Sequence, residues 1–325
     1  MRRILIDDSI RAIAEEYKIQ LEKGKGNYNS PRKKLMSLKI NPKLDAKQKK
    51  YVELIIDKWD ELILQEPPFN GVISEFERIY TADEVSKVKI NSDSPNGGIE
   101  FYKKVVDAMR YDYVQETIYK DIVKKLDIRT CVYCNAQYAF SYSLGKDDFI
   151  NYEIDHWMPK SKYPYLCTSF FNLQPSCPKC NKMKSQRDDV LPFCLFTNNA
   201  EDLNPFEFSV DNGSCALFLA TNDKDKLRIS FKAKDKQLGE NMNSLFHITT
   251  QYQAHKDIVE ELIWKQKIYN HTILDIYRDS FENLGFRKSD FNCFILSNYD
   301  MEEDILKRPL SKMMQDIAKQ LGIIR

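Results

Sequence analysis

The sequence predicts an α+β chain, mostly helical, with a strand–strand–helix module near its middle stapled by a four-cysteine zinc site. Three observations predict this. Apolar residues recur at helical spacing through residue 126 and again beyond residue 239. Between Gln137 and Ile154 the period falls to two, and two Cys-x-x-Cys pairs bracket that change. The chain divides into a helical N-terminal region (1–127), the central module (128–192) and a C-terminal region of short strands followed by helices (193–325).

In the N-terminal region Ile10, Ile13, Ala14, Tyr17 and Leu21 share one face of a helix over 9–22, with Ser9 as its cap. A loop through Gly24 and Gly26 follows. From Arg32 to Lys50 the chain is strongly basic, which reads either as a solvated helical face or as a phosphate-contacting one. Further helices are predicted over 45–65, 72–88 and 99–126, with Pro67-Pro68 and the turn-rich segment 91–98 as punctuation.

In the module, Tyr138, Phe140 and Tyr142 alternate along a strand over 137–143. A turn at 144–148 leads to a second strand over 149–154, which delivers Asp155 and His156 to its end. Pro159 and Pro164 mark a loop, and Pro178 suits the first turn of a helix carrying Asn181 and Lys182. Beyond it, 206–210, 216–220 and 227–231 read as strands, and 239–283 and 303–321 as helices.

With 42% hydrophobic and 30% charged residues the chain has the composition of a folded globular protein. A formal net charge of +1 gives no global attraction to polyanions, so any nucleic-acid affinity must come from local clustering. Eight cysteines in a chain this long do not form a secreted disulfide framework. Cys167, Cys194, Cys215 and Cys293 stand alone and read as small packed residues. The N-terminus lacks the apolar run of a signal peptide and no stretch is long enough for a membrane span, so a cytoplasmic location is expected.

The chemistry concentrates between Cys131 and Arg187. Cys131, Cys134, Cys177 and Cys180 supply four thiolates, a closed set with no open position for water, so the zinc they imply is structural. Asp155 and His156 are adjacent at a strand end, where one can hold a metal while the other faces a substrate. Asp155 and Asn181 offer hard oxygens suited to magnesium or manganese, and a neutral imidazole can take a proton from water. Trp157 to Arg187 contains no acidic residue, whereas Lys160, Lys162, Lys179, Lys182, Lys184 and Arg187 are basic, as a polyphosphate partner requires. Tyr163, Tyr165, Phe170 and Phe171 read as core packing before base stacking. His247, His255 and His271 have no matching partners and read as structural.

The pattern Cys131-x-x-Cys134, Asp155-His156-x-x-Pro159-Lys160-Ser161, Asn172-Leu173 and Cys177-x-x-Cys180-Asn181-x-x-Lys184 resembles the HNH endonucleases, the zinc-stapled branch of the ββα-metal nucleases. The resemblance implies His156 as general base, Asp155 and Asn181 as ligands of the catalytic divalent ion, and Asn172 as a brace that orients the histidine. The expected substrate is DNA, and within the basic run Lys160, Lys162, Lys182, Lys184 and Arg187 are the expected nucleic-acid contacts. Asn181 stands where many members carry a final histidine, and Glu153 takes the place of an acidic residue two before the catalytic histidine. The flanking segment Asp155 to Pro164 is similar to HNH proteins of bacterial anti-phage systems of the Septu and retron-linked kinds, which implies a regulatory ATPase partner. The rival readings are a zinc-stapled nucleic-acid-binding module without catalysis and a protein adaptor. Cutting both strands with one site per chain would call for a dimer, on which the sequence is silent.

Overall fold

The N-terminal helices begin where side chains satisfy their first amides. Asp7, not Ser9, caps α1 (Asp8–Lys23): its Oδ1 accepts from the Ile10 amide at 3.0 Å, and the Ser9 hydroxyl donates to the same oxygen at 2.6 Å. Ser30 caps α2 (Pro31–Lys39), and Asp45 with Gln48 forms a capping box on α3 (Ala46–Asp57). A second box, Thr81 with Glu84, splits the predicted helix over 72–88 into Asn70–Glu77 and Ala82–Lys87. The predicted helix over 99–126 breaks at Arg110, whose φ of 61° is left-handed, so α4 (Phe101–Ala108) stops there and Tyr119–Lys125 forms a separate helix. Within the basic stretch, Arg32 pairs with Asp60 at 2.6 Å, Lys34 with Asp107 at 3.1 Å and Lys39 with Glu53 at 2.6 Å. Those contacts favour the solvated-face reading for these three side chains.

The structure is a computed structural model that describes residues 1–324 apart from 25, 27, 91–97, 146, 186, 188 and 270. The turn predicted over 91–98 and Lys146 of the predicted hairpin turn therefore lie outside the described residues, Gly98 excepted.

Short strands form two-stranded sheets: β1 (Ile4–Leu5), β2 (Ser141–Leu144), β3 (Asp147–Ile150), β4 (Glu153–His156), β5 (Leu173–Ser176), β6 (Phe196–Thr197), β7 (Phe206–Val210) and β8 (Ile229–Ala233). β1 runs parallel to β6, whereas β2–β3, β4–β5 and β7–β8 are antiparallel. The pairing in the module corrects the sequence reading. The predicted hairpin exists as β2–β3, but it does not hold Asp155 and His156. These residues lie on β4, whose partner is β5, sixteen residues on across the loop 157–172, with α5 (Pro178–Ser185) directly after. Leu173-Gln174-Pro175-Ser176 carries no β-branched residue and contains a proline, so it gives no strand signal. In a two-stranded sheet every strand is an edge, which is where proline is tolerated.

The predicted strand over 216–220 is instead the helix Asn212–Thr221. Asp211 accepts from the Ser214 amide at 2.7 Å at its start, and Asn222, with φ 53°, ends it. The predicted helix over 239–283 is a series that includes α6 (Lys236–Phe246), Lys256–Ile268 and His271–Asn283. The last helix, α7 (Ser311–Gln320), starts later than expected.

One continuous buried core runs through all three regions. The C-terminal region grips the first cysteine knuckle through Asn135, held at φ 51°. Its Nδ2 donates to the Ile305 carbonyl at 2.8 Å and its Oδ1 accepts from the Lys312 amide at 3.1 Å. Tyr252 donates its hydroxyl to the Cys134 carbonyl at 2.7 Å. From the other side, Tyr17 of α1 donates to the Thr168 carbonyl at 2.8 Å, and Phe76 stacks on Tyr165 at 3.7 Å. The flanking regions thus fix both the knuckle and the loop 157–172.

Candidate active site and metal centres

Cys131 and Cys134 lie on the knuckle before β2. Cys177 follows β5, and Cys180 sits in the first turn of α5. The four sulfurs are buried and all lie within 4.8 Å of one another. Tetrahedral zinc with Zn–S bonds of about 2.3 Å needs sulfurs roughly 4 Å apart, a spacing within the 4.8 Å that bounds this set. Thiols this close cannot ionise independently. Mutual hydrogen bonding pulls Cys134 and Cys177 down, while burial and the same neighbours push Cys131 and Cys180 up. A cation at their centre removes that conflict.

A second site opens at the end of β4. A cavity of about 230 Å³ is lined by Asp155, His156, Lys160, Asn181, Lys184 and Tyr102, among others. His156 is buried, and its Nε2 lies 2.9 Å from the Cys167 carbonyl oxygen. A carbonyl can only accept, so Nε2 carries the hydrogen and Nδ1 keeps its lone pair. Nδ1 has no hydrogen-bond partner among the described residues. The Tyr111 ring packs against the imidazole at 4.6 Å between centroids, and Lys160 Nζ lies 4.3 Å from the centre of the same ring. Burial first, and the Lys160 charge second, hold the imidazole well below its ordinary pKa, so it is neutral at pH 7.

Asp155 is the most heavily coordinated side chain of the site. Its two oxygens accept from Lys184 Nζ at 3.0 and 2.8 Å, and Oδ2 accepts from the Tyr133 hydroxyl. Lys184 also donates to the His156 carbonyl. Tyr133 accepts from Gln174 Nε2, and Gln174 lies directly opposite Asp155 in the β4–β5 register. Tyr133 stands between the two knuckle cysteines, so the zinc turn and the carboxylate belong to one hydrogen-bonded chain. Burial raises the Asp155 pKa, and Lys184 opposes that rise.

Asn181 donates its amide nitrogen to Glu153, which leaves Oδ1 as the atom that could face an ion. Asn172 does not line the cavity. Its Oδ1 accepts from the Met158 amide at 2.7 Å, and its Nδ2 donates to the carbonyls of Met158 at 3.2 Å and Leu166 at 2.9 Å. Fully buried, it ties together both ends of the loop whose Cys167 carbonyl fixes His156.

The predicted cationic contacts separate. Lys160 lines the cavity and Lys182 is exposed on α5. Lys162 pairs with Asp83 at 3.4 Å and Arg187 with Asp189 at 3.1 Å. Lys184 is corrected: it is buried against Asp155 rather than presented to a phosphate chain, because the turn from Asn181 to Lys184 points it back over β4. Tyr165, Phe170 and Phe171 are core residues. Cys167 and Cys194 are buried, and Cys215 and Cys293 are half-buried. Sequence reasoning missed Tyr102, Tyr111, Tyr133 and Gln174. Only Tyr133 carried a signal, its place inside the Cys-x-x-Cys turn.

Both Asp155 oxygens already hold a cation, the Lys184 ammonium, so a divalent ion at the second site would have to share or displace that contact. Apart from the four cysteines, no group of three His, Cys, Asp or Glu side chains comes together among the described residues. An ion here would be held by Asp155 and Asn181 and would keep several waters, as magnesium does. No helix among the described residues is long and apolar enough to cross a membrane.

Comparison with known proteins agrees with the geometry. Residues 131–187 match the family described as HNH endonuclease. A segment of 59 residues is 37% identical to the Septu protein PtuB of Bacillus thuringiensis, covering 18% of this chain and 20% of that protein. The match thus spans about a fifth of either chain. No solved structure gives a significant match.

Proposed function

We propose that the chain, through its HNH endonuclease domain at residues 131–187, hydrolyses phosphodiester bonds of DNA. The observation that carries this reading is His156: its Nε2–H is tied to the Cys167 carbonyl, which leaves Nδ1 as a neutral base in a cavity shared with Asp155 and Asn181. His156 Nδ1 takes a proton from water as its oxygen attacks phosphorus. The P–O bond to the departing oxygen breaks, and that oxygen is protonated from solvent. A magnesium or manganese ion on Asp155 and Asn181 would stabilise the negative charge that builds on the phosphoryl and departing oxygens. Lys160, half-buried beside His156, adds positive charge on the phosphate side and helps keep the imidazole neutral. Asn172 positions His156 through the loop, and Tyr133 positions Asp155. The four-cysteine zinc takes no part in bond breaking.

The similarity to a Septu protein supports a role in anti-phage defence with a regulatory ATPase as partner, and a net charge of +1 suits a nuclease that is recruited rather than one that scavenges. The test is incubation of supercoiled plasmid, single-stranded DNA and RNA with the chain, alone and with any ATPase found encoded next to its gene, in magnesium, manganese or chelator. DNA cleavage that requires the divalent ion is expected. Cleavage of RNA alone would overturn the substrate assignment, and silence in every combination would overturn the enzyme.

A further inference from the structure

The β2–β3 hairpin leaves the body of the molecule with its aromatic side chains in solvent. Tyr138, Tyr142 and Phe149 are 51%, 50% and 42% exposed. They form a ladder with Phe140: successive ring centroids lie 5.7, 6.2 and 5.2 Å apart, and Tyr142 and Phe149, directly opposite in the register, are stacked 16° from parallel. Three of these rings border a groove of about 780 Å³ whose other wall carries Arg129, Lys307 and Arg308, with the Tyr299 ring beneath the Arg308 guanidinium at 5.2 Å. Two carboxylates meet these cations: Asp127, beside Arg129 and Lys307, and Asp304, 2.8 Å from Lys307.

We propose that this groove binds an unpaired nucleic-acid strand, bases on the aromatic ladder and phosphates on Arg129, Lys307 and Arg308. The inference rests on the nuclease reading and extends it to the form of the substrate. Ring faces open to solvent accept bases whose own faces are free. In a duplex those faces are covered by neighbouring pairs, so the ladder selects single strands. A peptide partner would be favoured by apolar side chains ringed with acids and bases alike; here the cations Lys124, Arg129, Lys307 and Arg308 outnumber the carboxylates Asp127 and Asp304, which matches a chain of phosphates. β3 continues through Asn151 and Tyr152 into β4, so the six residue steps from Phe149 to Asp155 put the ladder at most about 20 Å along the chain from the Asp155 carboxylate.

The test is fluorescence anisotropy of a labelled oligothymidylate and of a labelled duplex, using full-length His156→Ala protein without added divalent ion. The single strand should bind more tightly than the duplex. Tyr142→Ala and Phe149→Ala should each weaken single-strand binding about 5- to 150-fold, Tyr142→Phe should retain it, and Arg308→Ala should reduce the salt slope by about 0.7. Unchanged zinc content and melting temperature will show that the variants fold. Equal binding of duplex and single strand, or aromatic variants that bind as the parent does, would overturn the proposal. So would loss of a dimer by light scattering as the sole effect of the variants. If oligonucleotide binds through these rings but the unmutated chain never cleaves, the groove stands and the nuclease reading falls. If DNA is cleaved while the rings prove irrelevant, the reverse holds.

Discussion

Replacing Lys184 by methionine removes three contacts: those to the Asp155 oxygens at 3.0 and 2.8 Å, and the one to the His156 carbonyl. Methionine keeps much of the aliphatic stem, so the change is mainly one of charge. The two side chains are 5% and 7% exposed, so Asp155 keeps only the Tyr133 hydroxyl, the His156 backbone and whatever water enters from the adjoining cavity. Breaking such a pair from one side costs about 3–5 kcal/mol. A lysine that merely faced phosphate, as the sequence pattern predicts, would cost less than about 1 kcal/mol on removal. Urea unfolding followed by circular dichroism, at matched zinc content, separates the two. The double variant Asp155→Asn/Lys184→Met should recover most of the loss, since no unpaired charge remains. The pH dependence has a definite sign. Burial already raises Asp155 above its ordinary 3.8, and losing Lys184 raises it further. The native state of the variant then binds the proton more tightly than the unfolded chain, so the loss shrinks as pH falls and grows as pH rises through the folded pKa. Manganese should stabilise the variant more than the parent, by supplying Asp155 with another cation. A Lys184→Met protein as stable as the parent would refute the buried pair and return Lys184 to the surface.

Stripping zinc with a chelator, or Cys177→Ser, should unfold more than the module, because α7 and Tyr252 hold the same knuckle; circular dichroism should lose C-terminal helix together with the metal. Asn172→Ala deletes three buried hydrogen bonds and should cost about 2–4 kcal/mol in urea unfolding, with a fall in kcat that exceeds any change in KM because His156 loses its support. His156 titrates well below 6.5, and only its neutral form can act as base, so activity should persist below pH 6.5 and be lost as pH falls through the lowered pKa. An acid limb of kcat/KM at or above pH 6.5 would contradict this.

The four-cysteine cluster and the polar residues of the cavity at the end of β4 are legible because they sit at short spacings: two Cys-x-x-Cys turns, Asp155 beside His156, and Asn181 one residue past the last cysteine. What failed depended on contacts between distant residues. β5 was invisible because Pro175 and the lack of β-branching hide it, and without β5 the wrong strand became the partner of β4. Tyr111 reaches His156 from a segment whose apolar period runs on past residue 110, so the left-handed break at Arg110 and the direction it gives Tyr111 are not legible in the pattern. Lys184 looks like any other cation of its run until the helix turn that buries it is known. The apolar run 215–220 fits strand or helix equally, and only the Asp211 cap decides. The hairpin aromatics alternate as a half-buried strand would, yet Tyr138, Tyr142 and Phe149 stand in solvent.

The most direct test of the central claim compares single-turnover cleavage of labelled DNA by the parent and by His156→Ala, both with one zinc bound and the same melting temperature, in manganese and in chelator. The account predicts divalent-dependent cleavage by the parent and a rate lower by about 10²–10⁴ in the variant. Equal rates for the two proteins, or cleavage that survives the chelator while zinc stays bound, would contradict it.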